Sequence, residues 1–365
     1  MFRGMMSGLL TAAMVLAGCA GEEPGPGGAT AGGEGESLRR IVILTNGDDP
    51  FWDACEAGAM AAEEEFNAAQ LGYDVVFERA NFTVERQVEM LRGYRLAGDV
   101  AGVGVSVVDP EANAIANELR DLREAGIAVV TIDGDVDREL HRDVRFAYLG
   151  TENLTAGREL GKAAAALQPE GGQSATFVGK KSAANAVARI SGFIEGAGES
   201  IEHIETLADE SDQAIARDRV RAALQQHEDL DTLVGIWAYN TPACVAVAEE
   251  MGVLGRVNIY SVDAAELTIR AMEEGKVQAM VVQNPFNMGK LGVKLLLALA
   301  EGDDDVVASM YPDLDAPDGD LLSTGLKAVV PEGSPLTKEV FAEETEFLSL
   351  PEFQAWLEKY GLKSS

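Results

Sequence analysis

The chain has few cysteines and few histidines, and both shortages narrow the chemistry available to it. Its 365 residues include 3 histidines and 3 cysteines. Two lone cysteines, Cys55 and Cys244, lie beyond the N-terminal segment and do not make a metal site. We expect them to be free, buried, small apolar side chains, with a disulfide as the alternative. The histidines, His141, His203 and His227, are predicted in surface loops or at helix ends. No constellation of Ser, Cys or His with a base is therefore indicated, and no metal or other cofactor is expected.

Basic residues are also scarce. Lys plus Arg amounts to 29 against 61 for Asp plus Glu, which gives a formal net charge of −32. Such a surface repels phosphate backbones, so nucleic acid is not an expected partner, and anionic ligands are disfavoured too. Long apolar runs are missing as well, because no segment after the N-terminus approaches the roughly 18 apolar residues that span a bilayer.

The N-terminal segment has the pattern of an export signal. Arg3 is followed by an apolar stretch over 9–16 and by the letters LAGC, which end at Cys19. A short basic region, an apolar core of roughly 7–15 residues and small residues at the cut are typical of secretory signals. LAGC also resembles the bacterial lipoprotein signal. We therefore predict a signal peptide over 1–18, lipidation of Cys19 and a flexible tether over 19–38; the alternative is an ordinary signal peptide with a chance cysteine.

From residue 39 onward, apolar runs alternate with helical stretches in two successive series. The runs do not alternate between polar and apolar residues, which is typical of strands covered on both faces. The chain from residue 39 onward is longer than a single hydrophobic core usually supports. We therefore predict an α/β protein of two doubly wound parallel-sheet lobes, joined by a multi-strand hinge, with a ligand cleft between them. The predicted lobes are 39–147 with 284–325, and 148–283 with 326–365.

Three individual elements are predicted with defined bounds. The first helix is expected to run over 51–71, and the acidic stretch 301–320 is expected to be a loop. A C-terminal helix is predicted over 351–360, held by apolar and aromatic side chains that include Phe353 and Trp356.

Six polar side chains each come just past the end of an apolar run. Ligands of parallel sheets bind outside the carboxyl ends of the strands, so these side chains are predicted to converge on one pocket. Asp, Asn, Gln and Arg together suit a neutral polyhydroxyl ligand, whose hydroxyls both donate and accept. The six residues are Asp49, Asp133, Arg189, Asn240, Asp263 and Gln283.

Each of these residues also has a purely structural interpretation. Asp133 and Asp263 could form turns after strands. Asp49 and Asn240 could cap helices. Arg189 could pair with Glu195 or another surface acid, although its apolar neighbours indicate partial burial.

Two adjacent aromatic residues, Phe51 and Trp52, follow the first strand. On a helix they cannot both face the core, so at least one is predicted to lie outside it. A ring at the end of a strand offers a flat apolar face that matches the C–H face of a sugar ring.

Several segments, taken in order, resemble the periplasmic sugar-binding proteins of the ribose-binding type, the substrate-binding components of ABC importers. They are IVILTNGDDPFWDACEAGAMAAEEE, VVTIDGDVD, SAANAVARISGF, IWAYNTPACVAVAEE and IYSVDAAELTIRAMEEGKVQAMVVQNPFNMGKLGVKLL. The resemblance covers roughly 39–330. It implies a type I periplasmic binding fold that closes around a sugar and is not an enzyme.

The resemblance assigns sugar contacts to the six polar positions and to the two aromatic residues. In the first loop these are Asp49, Phe51 and Trp52; the others are Asp133, Arg189, Asn240, Asp263 and Gln283. Two positions depart from the family pattern. Gly134 stands where the family usually has a second Arg, and Asp49 where Asn is commoner, so ribose itself is not predicted. Asp209 or Glu210 occupies a position where the family often has an aromatic residue.

The leading prediction is a monomeric, lipid-anchored receptor outside the cytoplasm that binds a neutral monosaccharide and delivers it to an ABC permease. The alternative is a sugar-sensing receptor that docks on a membrane kinase or chemoreceptor. Glycoside hydrolysis by Asp133 and Asp263 as paired carboxylates is not predicted, because no other catalytic group accompanies them. Sugar-responsive repressors share the two-lobed domain but begin with a helix-turn-helix, which this sequence lacks.

Overall fold

The structure is a computed structural model that describes residues 38–365. The predicted signal peptide, the lipidation site Cys19 and the tether up to residue 37 lie outside the described residues. Over 38–365, none of the helices combines the length and the hydropathy that crossing a bilayer would require.

The described residues form strands and helices that alternate through most of the chain. The strands are β1 Arg39–Leu44, β2 Tyr73–Glu78, β3 Val100–Val105, β4 Ala128–Ile132, β5 Tyr148–Gly150, β6 Gly172–Val178, β7 Ile201–Ala208, β8 Leu230–Gly235, β9 Asn258–Val262, β10 Ala279–Val282, β11 Leu321–Ser323, β12 Leu326–Val330 and β13 Thr345–Ser349. The helices are α1 Phe51–Glu65, α2 Val84–Ala97, α3 Asn113–Glu124, α4 Arg138–His141, α5 Asn153–Leu167, α6 Ala184–Ala197, α7 Gln213–Gln226, α8 Asn240–Glu250, α9 Glu266–Glu273, α10 Pro285–Glu301, α11 Asp304–Met310 and α12 Leu350–Lys359.

The strands assemble into two sheets. The first has the order β11-β5-β4-β3-β1-β2, and all its neighbouring strands are parallel. The second has the order β13-β12-β10-β9-β8-β6-β7 and is parallel except where β10 meets β12. This confirms the predicted fold class of two parallel-dominated α/β lobes.

Both faces of each sheet are covered. In β1, Ile41 and Ile43 pack into one hydrophobic cluster, whereas Val42 and Leu44 pack into another on the opposite face. Successive strand residues point to opposite faces, so a strand that is apolar at every position must be buried on both. This is why the apolar runs of the sequence showed no alternation.

The chain passes between the two sheets three times. It crosses between β5 and α5, between β10 and α10, and between β11 and β12, since α10 packs on β3 and β4 whereas α5 packs on β9 and β10. The predicted division after residue 147 lies three residues before the end of β5, a strand of the first sheet.

Some predicted elements differ from the structure. The first helix ends at Glu65, because Asn67 adopts a left-handed conformation (φ 53°) and a 3-10 helix, Ala68–Leu71, follows. The acidic stretch 301–320 contains the helix α11 and is not wholly a loop. Its acidic residues favour a helix start, since Asp303 accepts the N–H of Val306 at 3.1 Å and negative charge is stabilising at a helix N-terminus.

Helices α5 and α6 contact each other backbone to backbone through glycines. A Cβ atom on Gly157 would lie 1.9 Å from the carbonyl oxygen of Arg189, and one on Gly192 would lie 2.0 Å from that of Leu154. These glycines therefore set the distance between the helices and the position of the helix that carries Arg189.

We expect Gly157→Ala to force the helices apart and to lower the free energy of unfolding by about 1–3 kcal/mol, the usual cost of overpacking. The measurement is urea unfolding. Gly93→Ala is the matched control, because Gly93 also lies within a helix but has open space where the Cβ would be. The free energy of unfolding of the control should rise by up to about 1 kcal/mol. Equal stability of the two variants would contradict the packing argument.

Candidate ligand-binding site

The six predicted polar residues lie at the carboxyl edges of the two sheets. Asp49 follows β1 and Asp133 follows β4, both in the first sheet. The other four belong to the carboxyl edge of the second sheet, on or directly before the helices after β6, β8, β9 and β10; they are Arg189, Asn240, Asp263 and Gln283.

Asp133 and Asp263 occupy equivalent places in the two lobes. Each follows the last residue of its strand and has a left-handed backbone, with φ of 62° and 68°. Each donates its N–H across the sheet, Asp133 to Leu149 O and Asp263 to Val281 O, both at 2.9 Å. The chain bends at both residues, and around Asp133 the N–H of Gly134 closes a tight turn onto Ile132 O at 2.7 Å. A left-handed non-glycine residue at a strand end is also common at ligand sites, where the surrounding structure must stabilise it.

Arg189 is fixed by three contacts. Its side chain is almost fully buried; Nε donates to Oδ1 of Asn153 at 2.9 Å, and Nη1 donates to Ile236 O at 3.2 Å. Nη1 also lies 3.6 Å from Oδ2 of Asp263. The expected partial burial is confirmed, whereas the alternative pairing with Glu195 is wrong, because Glu195 pairs with a different arginine.

Gln283 connects Asp263 to the first crossing between the lobes. Its Nε2 donates to Asp263 Oδ1 at 2.9 Å, and its Oε1 accepts from the hydroxyl of Thr151 at 2.8 Å. Thr151 comes directly after β5, and Gln283 directly after β10. The buried amide of Gln283 thus uses both its ends to hold two crossing segments together.

The carboxylates of both lobes influence one another. Burial raises the pKa of Asp133 to about 6; the guanidinium of Arg189 opposes this shift and the carboxylate of Asp263 adds to it. Burial also raises the pKa of Asp263, with Arg189 and Gln283 lowering it and Asp49 raising it. Burial is thus the main cause of both upward pKa shifts, and neighbouring charges modify them.

Asn240 belongs to a separate hydrogen-bonded group. Its Oδ1 accepts the N–H of Trp237 at 3.0 Å, and its Nδ2 donates to Oδ2 of Asp209 at 2.7 Å. The hydroxyl of Tyr239 donates to the other oxygen of Asp209. Burial raises the pKa of Asp209, while these hydrogen bonds lower it. An amide has two N–H groups, and Asp209 takes one of those of the fully buried Asn240.

The two adjacent aromatic residues are placed differently. Trp52 is 2% exposed, packs in the core of the first lobe and donates its Nε1–H to Oδ1 of Asn46 at 3.2 Å. Phe51 is half-buried at the cleft end of α1, with its ring 5.0 Å from that of Trp52. The expectation that at least one lies outside the core is therefore confirmed by Phe51. Asp49 accepts the N–H of Phe51 at 2.9 Å, so it also caps this helix start.

Sequence reasoning missed several residues that hold the site together. Thr151 and Asn153 follow the apolar end of β5, just as Asp133, Asp263 and Gln283 follow their own strands, so the same rule would have found them. Tyr239 directly precedes the predicted Asn240 after the same strand, but its bond to Asp209 joins it to another strand end, which the local pattern does not indicate.

The cysteines and histidines form no side-chain hydrogen bond to these polar groups within residues 38–365. Cys55 and Cys244 are free and buried, as expected, and burial raises the pKa of both thiols. His141 ends α4, in line with the prediction, but is buried, whereas His203 lies in the strand β7 and not in a loop or at a helix end. Within 38–365, no group of three His, Cys, Asp or Glu side chains could hold a metal ion.

A surface pocket of about 450 Å³ lies at the opposite edge of the second sheet. It is lined by residues that include Gly275, Pro331 and Gln354, and by none of the predicted site residues. We therefore place the candidate site by the convergence of buried polar groups and not by this pocket.

Residues 41–304 match the family model described as "Periplasmic binding protein domain". The chain belongs to this family of periplasmic binding proteins. The match covers most of the described residues and confirms the resemblance drawn from the ordered segments.

Two curated relatives of this periplasmic binding protein carry names of sugar-binding proteins. It is 24% identical to the D-allose-binding periplasmic protein of Escherichia coli over 274 residues, which are 70% of this chain and 82% of that protein. It is 20% identical to the ribose import binding protein RbsB of Salmonella typhimurium over 275 residues, 74% of this chain and 87% of RbsB.

Solved structures share the fold. An ABC transporter solute-binding protein of Burkholderia graminis, in complex with D-arabinose, superposes with a TM-score of 0.67 at 22% identity and covers 85% of this chain and 99% of its own. GanP, a glucose-galactose binding protein of Geobacillus stearothermophilus, superposes with a TM-score of 0.66 at 25% identity. That match covers 82% of this chain and 99% of GanP. This chain therefore has the fold of sugar-binding ABC solute-binding proteins.

Proposed function

We propose that this periplasmic binding protein captures a neutral monosaccharide, a pentose, hexose or similar polyol, in the cleft between its lobes. One observation carries the proposal. At the carboxyl edge of the second sheet, the buried Arg189 lies 3.6 Å from Asp263, and Asp263 accepts from Gln283, whose amide oxygen accepts from Thr151 directly after the first-sheet strand β5.

The chemistry of these groups suits hydroxyls. Carboxylates accept hydrogen bonds from neighbouring hydroxyls, whereas Arg189 donates to them. Arg189 is already held in place, so a ligand does not have to order it, and preorganisation of this kind improves affinity. Closure of the lobes about the three crossings would bury the sugar together with these groups.

Gly134 argues against direct transfer of the ribose specificity. A Cβ atom there would lie 2.7 Å from Val107 O and 2.9 Å from the hydroxyl oxygen of Ser106. The backbone of this loop leaves no room for the arginine that the ribose-type proteins usually have. At these positions one guanidinium, that of Arg189, is available to the ligand in place of two. We therefore propose a class of sugar and not a particular sugar.

Related proteins support a small polyhydroxyl ligand. Similar solved structures contain D-arabinose, D-allose and myo-inositol, which differ in ring size and substitution but are all uncharged. This site has no excess of positive charge that would favour an anion.

Delivery to an ABC permease and a lipid anchor at Cys19 are part of the same proposal. Their support is the family membership, the name of the ribose import relative and the lipoprotein-like N-terminal sequence. A tether would keep the receptor at a high local concentration near a membrane partner. The second candidate, a sensing receptor, is favoured by one similar structure, the XylFII–LytSN complex, in which a protein of this fold assembles with a second protein.

The test is isothermal titration with a panel of pentoses, hexoses and polyols. We expect one class to bind with a dissociation constant near micromolar, about −8 kcal/mol. Asp263→Asn should weaken that binding, whereas Asp229→Asn is the matched control, because Asp229 is exposed beside the opposite edge of the second sheet. If no member of the panel binds the wild-type protein, the sugar assignment is wrong.

A further inference from the structure

Residues 350–365 contact the two chain segments that follow Asp263 and Gln283. They consist of the helix α12, a turn at Gly361 and an extended end, and they lie beyond residues 41–304 that match the family model. Phe353 and Leu357 anchor the helix in the core of the second lobe.

The end of this segment is hydrogen-bonded to the residue after Asp263. The N–H of Ala264 donates to Ser365 O at 3.0 Å, and the N–H of Ser365 donates to Ala264 O at 3.3 Å. Ser365 is 4% exposed and Ala264 is fully buried. Since Asp263 has a left-handed backbone, which costs energy for a non-glycine residue, this reciprocal pair holds a strained position in place.

The helix of the same segment contacts the residues after Gln283. The ring of Phe286, in the first turn of α10, lies 4.2 Å from the ring of Tyr360 and 6.1 Å from that of Trp356, measured between centroids. Lys327, on the strand paired with β10, places its Nζ 4.7 Å from the centroid of the Trp356 ring. Aromatic contacts of this kind contribute beyond the apolar area they bury.

We propose that residues 350–365 are a positioning element for ligand binding. Through Ser365 and Tyr360 they fix the backbones on either side of the hydrogen-bonded pair of Asp263 and Gln283, so that Asp263 stays within reach of Arg189. The proposal rests on the proposed function and extends it to residues that touch no ligand. Without the segment, Asp263 would relax from its left-handed conformation and the closed state would be less stable.

The test compares a deletion of residues 363–365 and Tyr360→Ala with the wild-type protein, using the sugar that the panel identifies. Both changes should raise the dissociation constant about fivefold, the loss expected for one or two hydrogen bonds or contacts. The higher dissociation constant should result from a faster dissociation rate, and each variant should still bind sugar with full stoichiometry. Tyr360→Phe keeps the ring and should bind like the wild type.

Leu357→Ala is the matched control, because Leu357 lies on the same helix and packs in the hydrophobic core of the second lobe, without an aromatic contact to Phe286. It should lower the melting temperature without changing the dissociation constant of the folded protein. A merely structural role would make the deletion and Tyr360→Ala behave like Leu357→Ala, and that result would overturn the proposal.

A readout without ligand separates this inference from the proposed function. In hydrogen exchange, the amide of Ala264 should lose protection in the deletion variant and keep it in Leu357→Ala, whether or not any sugar binds. Unchanged protection of Ala264 would overturn the inference, whereas a wild-type protein that binds no sugar would contradict the proposed function.

Discussion

Replacement of Arg189 by alanine is expected to weaken sugar binding by roughly two to three orders of magnitude, because it removes a buried guanidinium that other residues already hold in place. The substitution also leaves Asp263 buried beside Gln283 without its cationic neighbour. An uncompensated buried charge is costly, so the melting temperature should fall as well. The measurements are isothermal titration and thermal unfolding of the same preparations.

Arg158→Ala is the control for this experiment. Arg158 lies on the facing helix and pairs with Glu195 at 2.8 Å, but both side chains of that pair are partly exposed. Exposed pairs contribute at most about 1 kcal/mol, so the control should bind sugar normally. Arg189→Lys keeps the charge but loses the fork of donors, and we expect it to bind better than Arg189→Ala and worse than the wild type. An Arg189→Ala protein that folds and binds like the wild type would contradict the assignment.

Asp133→Asn should stabilise the ligand-free protein at alkaline pH while it weakens binding. Burial raises the pKa of Asp133 to about 6, against about 3.9 in an unfolded chain. The folded state holds this proton more tightly, so the contribution to stability is complete below about pH 4 and is lost as the pH rises through 6. The asparagine carries no charge and avoids this loss. It also tolerates the left-handed backbone.

The variant should therefore melt at a higher temperature than the wild type at pH 8 and at a similar temperature at pH 4. Its affinity for sugar at pH 8 should fall by roughly ten- to a hundredfold, because a charged acceptor is lost. Wild-type affinity should itself decline as the pH is lowered through 6, where the carboxylate becomes protonated. A variant that is less stable than the wild type at pH 8, or that binds equally well, would contradict the role of Asp133.

The sequence was sufficient to predict the fold class and to predict that polar residues lie at the carboxyl edges of the sheets. Apolar runs without alternation required strands covered on both faces, and residues directly after such runs had to lie at the carboxyl edge. That rule is enough to place Asp133, Asp263 and Gln283 at the edges of the sheets. The rule depends only on the local pattern of apolar residues, which can be read from a single sequence.

Contacts between distant segments could not be predicted in this way. Which of Phe51 and Trp52 enters the core depends on how the first helix rotates against its sheet. The bond between Tyr239 and Asp209 joins different strand ends. The contact of Ser365 with Ala264 joins residues 101 positions apart in the chain. Such pairings depend on tertiary packing, which the local pattern does not encode.

We propose that groups from both lobes bind one sugar, and a crystal structure with the bound sugar tests this most directly. We expect the sugar between the two sheet edges, with hydroxyl oxygens within hydrogen-bond distance of Asp133 from the first lobe and of Arg189 and Asp263 from the second. A sugar bound outside this cleft, or held by residues of only one lobe, would contradict the account.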